Sequence, residues 1–180
     1  MDISGFKSMM KDGQRAVWAL DAFYRSGYSV LNEYRHERPN QQSNVHGFFI
    51  SDCAVLFVTD QHESAVIRFE VICRILQQIH KRTFQNAVQL TTSIVWGPFD
   101  YHERIEFIGL NKNPIYGNAY VDAFIDNESG EPKLYPNECR LLRKGLPHDV
   151  EEFCLGRLGL IGRHIRETPT HFYFEWMREE

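Results

Sequence analysis

The sequence predicts a sandwich of the α+β or α/β kind, in which helices cover a mixed sheet. Three observations lead there. Two stretches, 12–34 and 63–81, carry apolar residues at helical spacing. Between them lie two strand-like runs, 45–50 and 53–58, hinged at Ser51-Asp52. More strand-like runs follow, with one further helix among them. A length of 180 residues fits a single domain spanning 1–180. A hydrophobic fraction of 43% with 13% aromatics can fill a core, which excludes a disordered chain.

The elements follow in order. Asp12-Gly13 opens the first helix, with Asp12 as its cap. Val17, Leu20, Phe23/Tyr24, Tyr28 and Leu31 form its expected buried stripe. Residues 36–44 are polar and contain Pro39, so they read as a loop. The runs 45–50 and 53–58 then make a tight hairpin with Asp52 at its tip. In the second helix Val66, Phe69, Ile72/Cys73, Leu76 and Ile79 face inward. Residues 88–96 read as a strand ended by Gly97-Pro98, and 103–109 as another. A third helix runs from about Tyr116-Gly117 to about Asn127, and 128–132 is a turn. Phe172 to Trp176 reads as a last, core-facing strand. Residues 156–166 mix glycines and cations and read as a solvated loop–helix junction.

Composition excludes several classes. Lys and Arg number 20 and Asp and Glu 24, a net charge of −4. With a pI near 6.1, no nucleic-acid partner held by overall positive charge is expected. No run of ~18 apolar residues exists, so no membrane span is expected. The N-terminus lacks the basic flank and apolar run of a signal peptide. Four cysteines, with no CxxC pair, suggest a reduced, cytoplasmic protein, and Cys53 and Cys73 read as small buried hydrophobes. Eight scattered histidines without HxxxH spacing argue against zinc. Neither GxGxxG nor GxxxxGK[ST] occurs.

The chemistry points to two aspartates. Asp2 precedes Ile3-Ser4-Gly5-Phe6, and Asp52 sits among apolar strands. A carboxylate there needs a compensating charge, and two brought together repel unless a divalent cation bridges them. Mg²⁺ suits one or two carboxylates plus substrate phosphates. Gly5 lets backbone approach a ligand, and the amides of residues 3–6 could cradle a triphosphate.

Asp2-Ile3-Ser4-Gly5-Phe6, followed about 50 residues later by Ser51-Asp52-Cys53-Ala54-Val55-Leu56-Phe57, resembles the class III nucleotide cyclases. The segment from Pro114 to Ala123 is similar to that family's Gly-to-Ala helix segment, so the resemblance spans residues 2–127. It implies a ferredoxin-like core, a head-to-tail homodimer and two-metal cyclisation of a nucleoside triphosphate. Asp2 and Asp52 would hold two Mn²⁺ or Mg²⁺ ions, with the Ile3 carbonyl completing one sphere. Ser4, Gly5 and Phe6 would bind phosphates.

The departures from the family matter too. Phe48 stands where purine cyclases carry a base-reading Lys, and Pro114 where they carry an acidic reader. Val121 and Ile125 fall near the transition-state Asn and Arg. Phe48 would narrow the base pocket toward a single-ring base. The pattern resembles the pyrimidine cyclases of Pycsar antiphage systems, which make cyclic UMP or cyclic CMP for a separate effector. UTP is the preferred substrate, with CTP open. Arg104 and Lys112 are the candidate replacement cations, against a plain surface role. Two alternatives stand: a non-catalytic nucleotide-binding or dimerisation module with a cyclase fold, and a purine cyclase. In the family Asp2 would end a central strand, yet only Met1 precedes it and strands usually need ~5 residues. The expectation is a start codon placed too late, or a missing first strand.

Overall fold

The structure is a computed structural model. It describes residues 1–37, 45–59, 63–101, 104–107, 110–112, 115–156 and 165–176, with backbone alone at 104–107 and 110–112. Its elements begin with β1 (Asp2–Ile3), α1 (Phe6–Met9) and α2 (Gly13–Glu37). The hairpin β2 (Val45–Ile50) and β3 (Cys53–Val58) follows, then α3 (Ala65–Gln85) and β4 (Leu90–Ile94). Four short strands come next: β5 (Asp100–Tyr101), β6 (Arg104–Phe107), β7 (Leu110–Lys112) and β8 (Ile115–Tyr116). Last are α4 (Asn118–Ser129), β9 (Cys139–Leu142), α5 (His148–Cys154), β10 (Ile165–Glu167) and β11 (His171–Phe174).

Seven strands form one mixed sheet in the order β10-β11-β9-β4-β1-β3-β2. Among the described residues of this sheet, β4 and β9 run parallel and the other neighbouring pairs are antiparallel. The subset β4-β1-β3-β2, with α2 and α3 as crossovers, is a pair of interleaved split βαβ units. The chain is thus an α+β protein with a mixed central sheet. β5 with β8, and β6 with β7, make separate two-stranded ribbons. Among the described residues, no helix is long and apolar enough to cross a membrane.

Adjacent residues of a strand face opposite sides of a sheet. Thr92 bonds to His80 of α3, and Ser93 bonds to Asp126 of α4. So α3 and α4 lie on opposite faces. Under α2 and α3, Ile3, Phe23, Ile75, Ile79 and Leu90 form one buried core. A second core joins α3, α5, β9 and β11 through Phe69, Leu141, Val150, Phe153 and Phe172.

Side chains cap two helix starts, Asp12 as expected and Ser64 in addition. The Gln14 and Arg15 amides donate to Asp12 Oδ1 at 3.1 and 3.3 Å. The Ile67 amide donates to Ser64 Oγ, capping α3. The buried stripe of α2 differs from the expected one. Val17 and Tyr28 are 66% and 55% exposed, while Ala16, Ala19, Phe23, Val30 and Leu31 are buried. Small residues set this rotation, because they let the helix lie close to the sheet. At Gly27 an added Cβ would sit 2.1 Å from the Phe49 ring.

The hairpin has the expected bounds, and Ser51 takes a φ of 54°, which suits a two-residue turn. Cys53 is only half-buried and donates to the Ile50 carbonyl; Cys73, Cys139 and Cys154 are buried, and all four are free thiols. Residues 128 and 129 belong to α4, so the turn begins at Gly130. The last strand ends at Phe174, and Trp176 packs on Phe174 and His80 beyond it. β9 and α5 were not expected. Residues 38–44 of the expected loop and 157–164 of the glycine-rich stretch lie outside the described residues.

A buried ionic knot fastens α4 to the sheet. Arg140 of β9 is 0% exposed. Its Nε and Nη2 donate to the two Asp126 carboxylate oxygens at 2.8 Å each. Nη2 also donates to the Asp126 carbonyl, and Nη1 to the Pro132 carbonyl. Ser93 Oγ and His171 Nε2 complete the Asp126 shell at 2.5 and 3.0 Å. Burial pushes the Asp126 carboxyl up, but the Arg140 and Ser93 bonds outweigh it and hold it below its ordinary range. Arg140→Leu strands a buried carboxylate, and is expected to cost about 3–5 kcal/mol in urea unfolding. A loss under about 1 kcal/mol would show that the knot contributes little.

Candidate functional site

Two residues of β1 place the site. The Ile3 amide donates to the Asp52 carbonyl at 2.8 Å, and the Ala54 amide to the Met1 carbonyl at 2.9 Å. Asp2 therefore stands opposite Cys53 on one side and Thr91 on the other. Ile3 is 1% exposed in the core under α2 and α3. By strand alternation Asp2 then points to the opposite, α4-side face. Asp52, at the hairpin tip, lies next to Asp2 across the ladder.

The electrostatics reflect this. Burial, then the Asp52 charge, pushes the Asp2 carboxyl up to about 6, and Glu128 adds to it. Two carboxylates that cost each other free energy suit a divalent cation. Among the described residues no group of three or more His, Cys, Asp or Glu is placed to hold a metal. The available donors are thus the two carboxylates and nearby backbone carbonyls such as that of Ile3. Glu128 was not foreseen, since it read as part of a turn. It reaches the site because α4 runs on to Ser129.

The expected phosphate cradle is narrower than four amides. The Ile3 amide is bonded to Asp52, and the Ser4 amide donates to the Gln89 carbonyl at 2.8 Å. Gly5 and Phe6 keep their amides at the start of α1. Gly5 has a φ of 73°, and an added Cβ there would meet nothing within 4 Å. The Phe6 ring is 6% exposed and belongs to the core, so only its backbone can serve a ligand. Ser4 Oγ is buried and has no hydrogen-bond partner among the described residues.

Phe48 lies on the same face as Asp2, because it alternates with Ile50, which pairs with Cys53. It is half-buried in an aromatic set. Its ring centroid is 5.7 Å from Phe57 and 4.9 Å from Tyr101, and Phe57 is 4.4 Å from Phe99. Arg104 and Lys112 are in β6 and β7, but their side chains, like Pro114, lie outside the described residues. Val121 and Ile125 are 49% and 51% exposed on α4. A cavity of about 630 Å³ runs from Asp2 between β3 and β4, and α4 lines one side of it.

No family model matches the chain, and no curated protein matches it.

A raised carboxyl binds its proton more tightly in the folded than in the unfolded chain. Its contribution to stability is therefore present at low pH and lost as pH rises from about 4 through about 6. Burial holds His80 down at about 3 and lowers His171, so these two lose stability as pH falls and oppose the Asp2 contribution. Without divalent cations, Asp2→Asn should therefore raise Tm at pH 7.5 by more than at pH 5. Thermal melts of both proteins across this range check it, and a Tm difference that does not change with pH would remove Asp2 as a source of the pH dependence.

Proposed function

We propose that the chain is a metal-dependent nucleotide cyclase of the class III kind, turning UTP or CTP into a 3′,5′-cyclic monophosphate and pyrophosphate. The observation that carries this reading is the closeness of Asp52 to Asp2, which points to the α4-side face of a split βαβ sheet. The sheet order β4-β1-β3-β2 is compatible with a ferredoxin-like core. Asp2, Asp52 and the Ile3 carbonyl would hold Mn²⁺ or Mg²⁺. Cations bound there would make the ribose 3′-hydroxyl more acidic and offset the triphosphate charge.

The chain's own groups bind and orient. The Gly5 and Phe6 amides receive phosphate oxygens. Phe48, backed by Phe57 and Tyr101, offers a flat apolar surface to a single-ring base. The 3′-oxygen then forms a bond to the α-phosphorus, and the bond to pyrophosphate breaks. The hydroxyl proton leaves to solvent. No protein nucleophile takes part. The reading also includes a homodimer in the cytoplasm, whose product acts on a separate effector in antiphage defence.

A second reading has one observation of its own. Val121, Phe124 and Ile125 form an exposed apolar strip on α4, where a catalytic Asn and Arg are expected. Such a strip suits a non-catalytic nucleotide-binding or dimerisation module.

Incubation with each of the four nucleoside triphosphates and Mn²⁺, with products resolved by mass, separates the readings. Cyclic UMP or cyclic CMP is expected. Asp52→Asn should lower the rate by about 10²–10³-fold, the usual scale for removing a group that stabilises a transition state. Thermal stabilisation by a nucleotide with no cyclic product would favour the second reading and overturn the first.

A further inference from the structure

The two edges of the seven-stranded sheet differ. β10 is three residues long, and Arg166 and Glu167 in it are charged and exposed. A short, charged strand is a usual way for an edge to avoid pairing with another chain. β2, at the other edge, has none of these devices. It runs six residues, Val45 to Ile50, without proline, lysine, arginine or a carboxylate. It pairs with β3 in unbroken register, and among the described residues no strand pairs with its far side.

Hydrogen-bond alternation shows which groups face outward. The Ala54 amide donates to the Met1 carbonyl, so Ala54 turns its backbone toward β1. Phe49 is opposite Ala54, so its N–H and C=O turn away from β3, and those of Gly47 and Val45 do the same. Val45 is only 4% exposed, whereas Gly47 and Phe49 are half-buried. The open part of the edge is therefore Gly47 and Phe49, with two donors and two acceptors. On its α2 side this edge carries a projection and a recess. Tyr28 is 55% exposed, and its ring lies 5.0 Å from that of Phe49. Two residues along β2, Gly47 brings no side chain, and a groove of about 510 Å³ lined by Leu31, Asn32 and Arg35 opens beside Tyr28.

We propose that this edge is a contact between two copies of the chain, related by a two-fold axis at Phe48. Gly47 of one copy then lies opposite the partner's Phe49, and all four outward amides of the two edges find acceptors. In this register the partner's Tyr28, carried beside the partner's Phe49, enters the groove at Gly47 and meets the Arg35 guanidinium. The fit is reciprocal, since each copy gives one ring and receives one. An edge about 20 Å long and about 25 Å deep, through sheet and helix, covers about 500 Å² per copy. The total of about 1,000 Å² is the low end for a specific interface, so the dimer is concentration-dependent. The contact uses the backbone edge rather than the face that carries Asp2. It is independent of the cyclase reading, and the nucleotide assay is blind to it.

The test is light scattering and hydrogen exchange on the full chain, from about 1 µM to about 500 µM. The mass is expected to rise from one chain toward two. Over that range the Gly47 and Phe49 amides should slow about tenfold or more in exchange, while Val45 should not change. Tyr28→Glu should weaken the dimer about tenfold, and Tyr28→Phe should keep it. Thermal melts at the lowest concentration confirm that both variants are folded. A single-chain mass throughout, a dimer without protection at Gly47 and Phe49, or a Tyr28→Glu chain that dimerises like its parent would each overturn the proposal. So would slow exchange of both amides at the lowest concentration, which would mean that the chain covers its own edge.

Discussion

Everything at the centre of this sheet hangs on two residues. Asp2 and Ile3 pair with β3 on one side and β4 on the other, and no other described element joins those strands. A strand's alternation then sends Ile3 into the core and Asp2 to the opposite face. The core residue holds the acidic one in place. Without Ile3 in its pocket, Asp2 would have no fixed position beside Asp52. The candidate chemistry therefore depends on a packing contact on the far side of the sheet.

The same arrangement explains the cost stored at the site. Asp2 is pushed up by burial and by Asp52, so the bare carboxylate pair opposes folding at neutral pH. Elsewhere the chain treats a buried carboxylate differently. Asp126 is surrounded by Arg140, Ser93 and His171, and its charge is well satisfied. One acidic residue has a guanidinium bonded to both its oxygens; the other faces a second acid. That contrast separates the knot that anchors α4 from the pair that suits an exchangeable cation.

Much of the fold was legible in the chain. The hairpin was readable because alternating apolar runs meet at Ser51-Asp52, and α3 because Phe69, Leu76 and Ile79 repeat at helical spacing. The rotation of α2 was not. Periodicity favours the large residues Val17 and Tyr28, but close approach to Phe49 is decided by Gly27 and the alanines. β9 was hidden too, since Arg140 breaks its apolar pattern. The reason for that arginine lies 14 residues upstream, in Asp126. At the site, Asp2, Asp52 and Phe48 stood out in the sequence, but Glu128 and the occupied Ile3 and Ser4 amides did not. Those depend on where α4 ends and on which strand lies beside β1.

The sequence by itself determined the local elements, the tip position of Asp52 and the acidic, aromatic-rich character of the chain. These follow from spacing, turn chemistry and composition, which act over a few residues. Tertiary structure alone decided which residues share a face, that two aspartates 50 positions apart become neighbours, and that a cavity beside Asp2 is lined by β3, β4 and α4. Strand order and register set these properties. Both arise from long-range pairing, which no local pattern of side chains encodes.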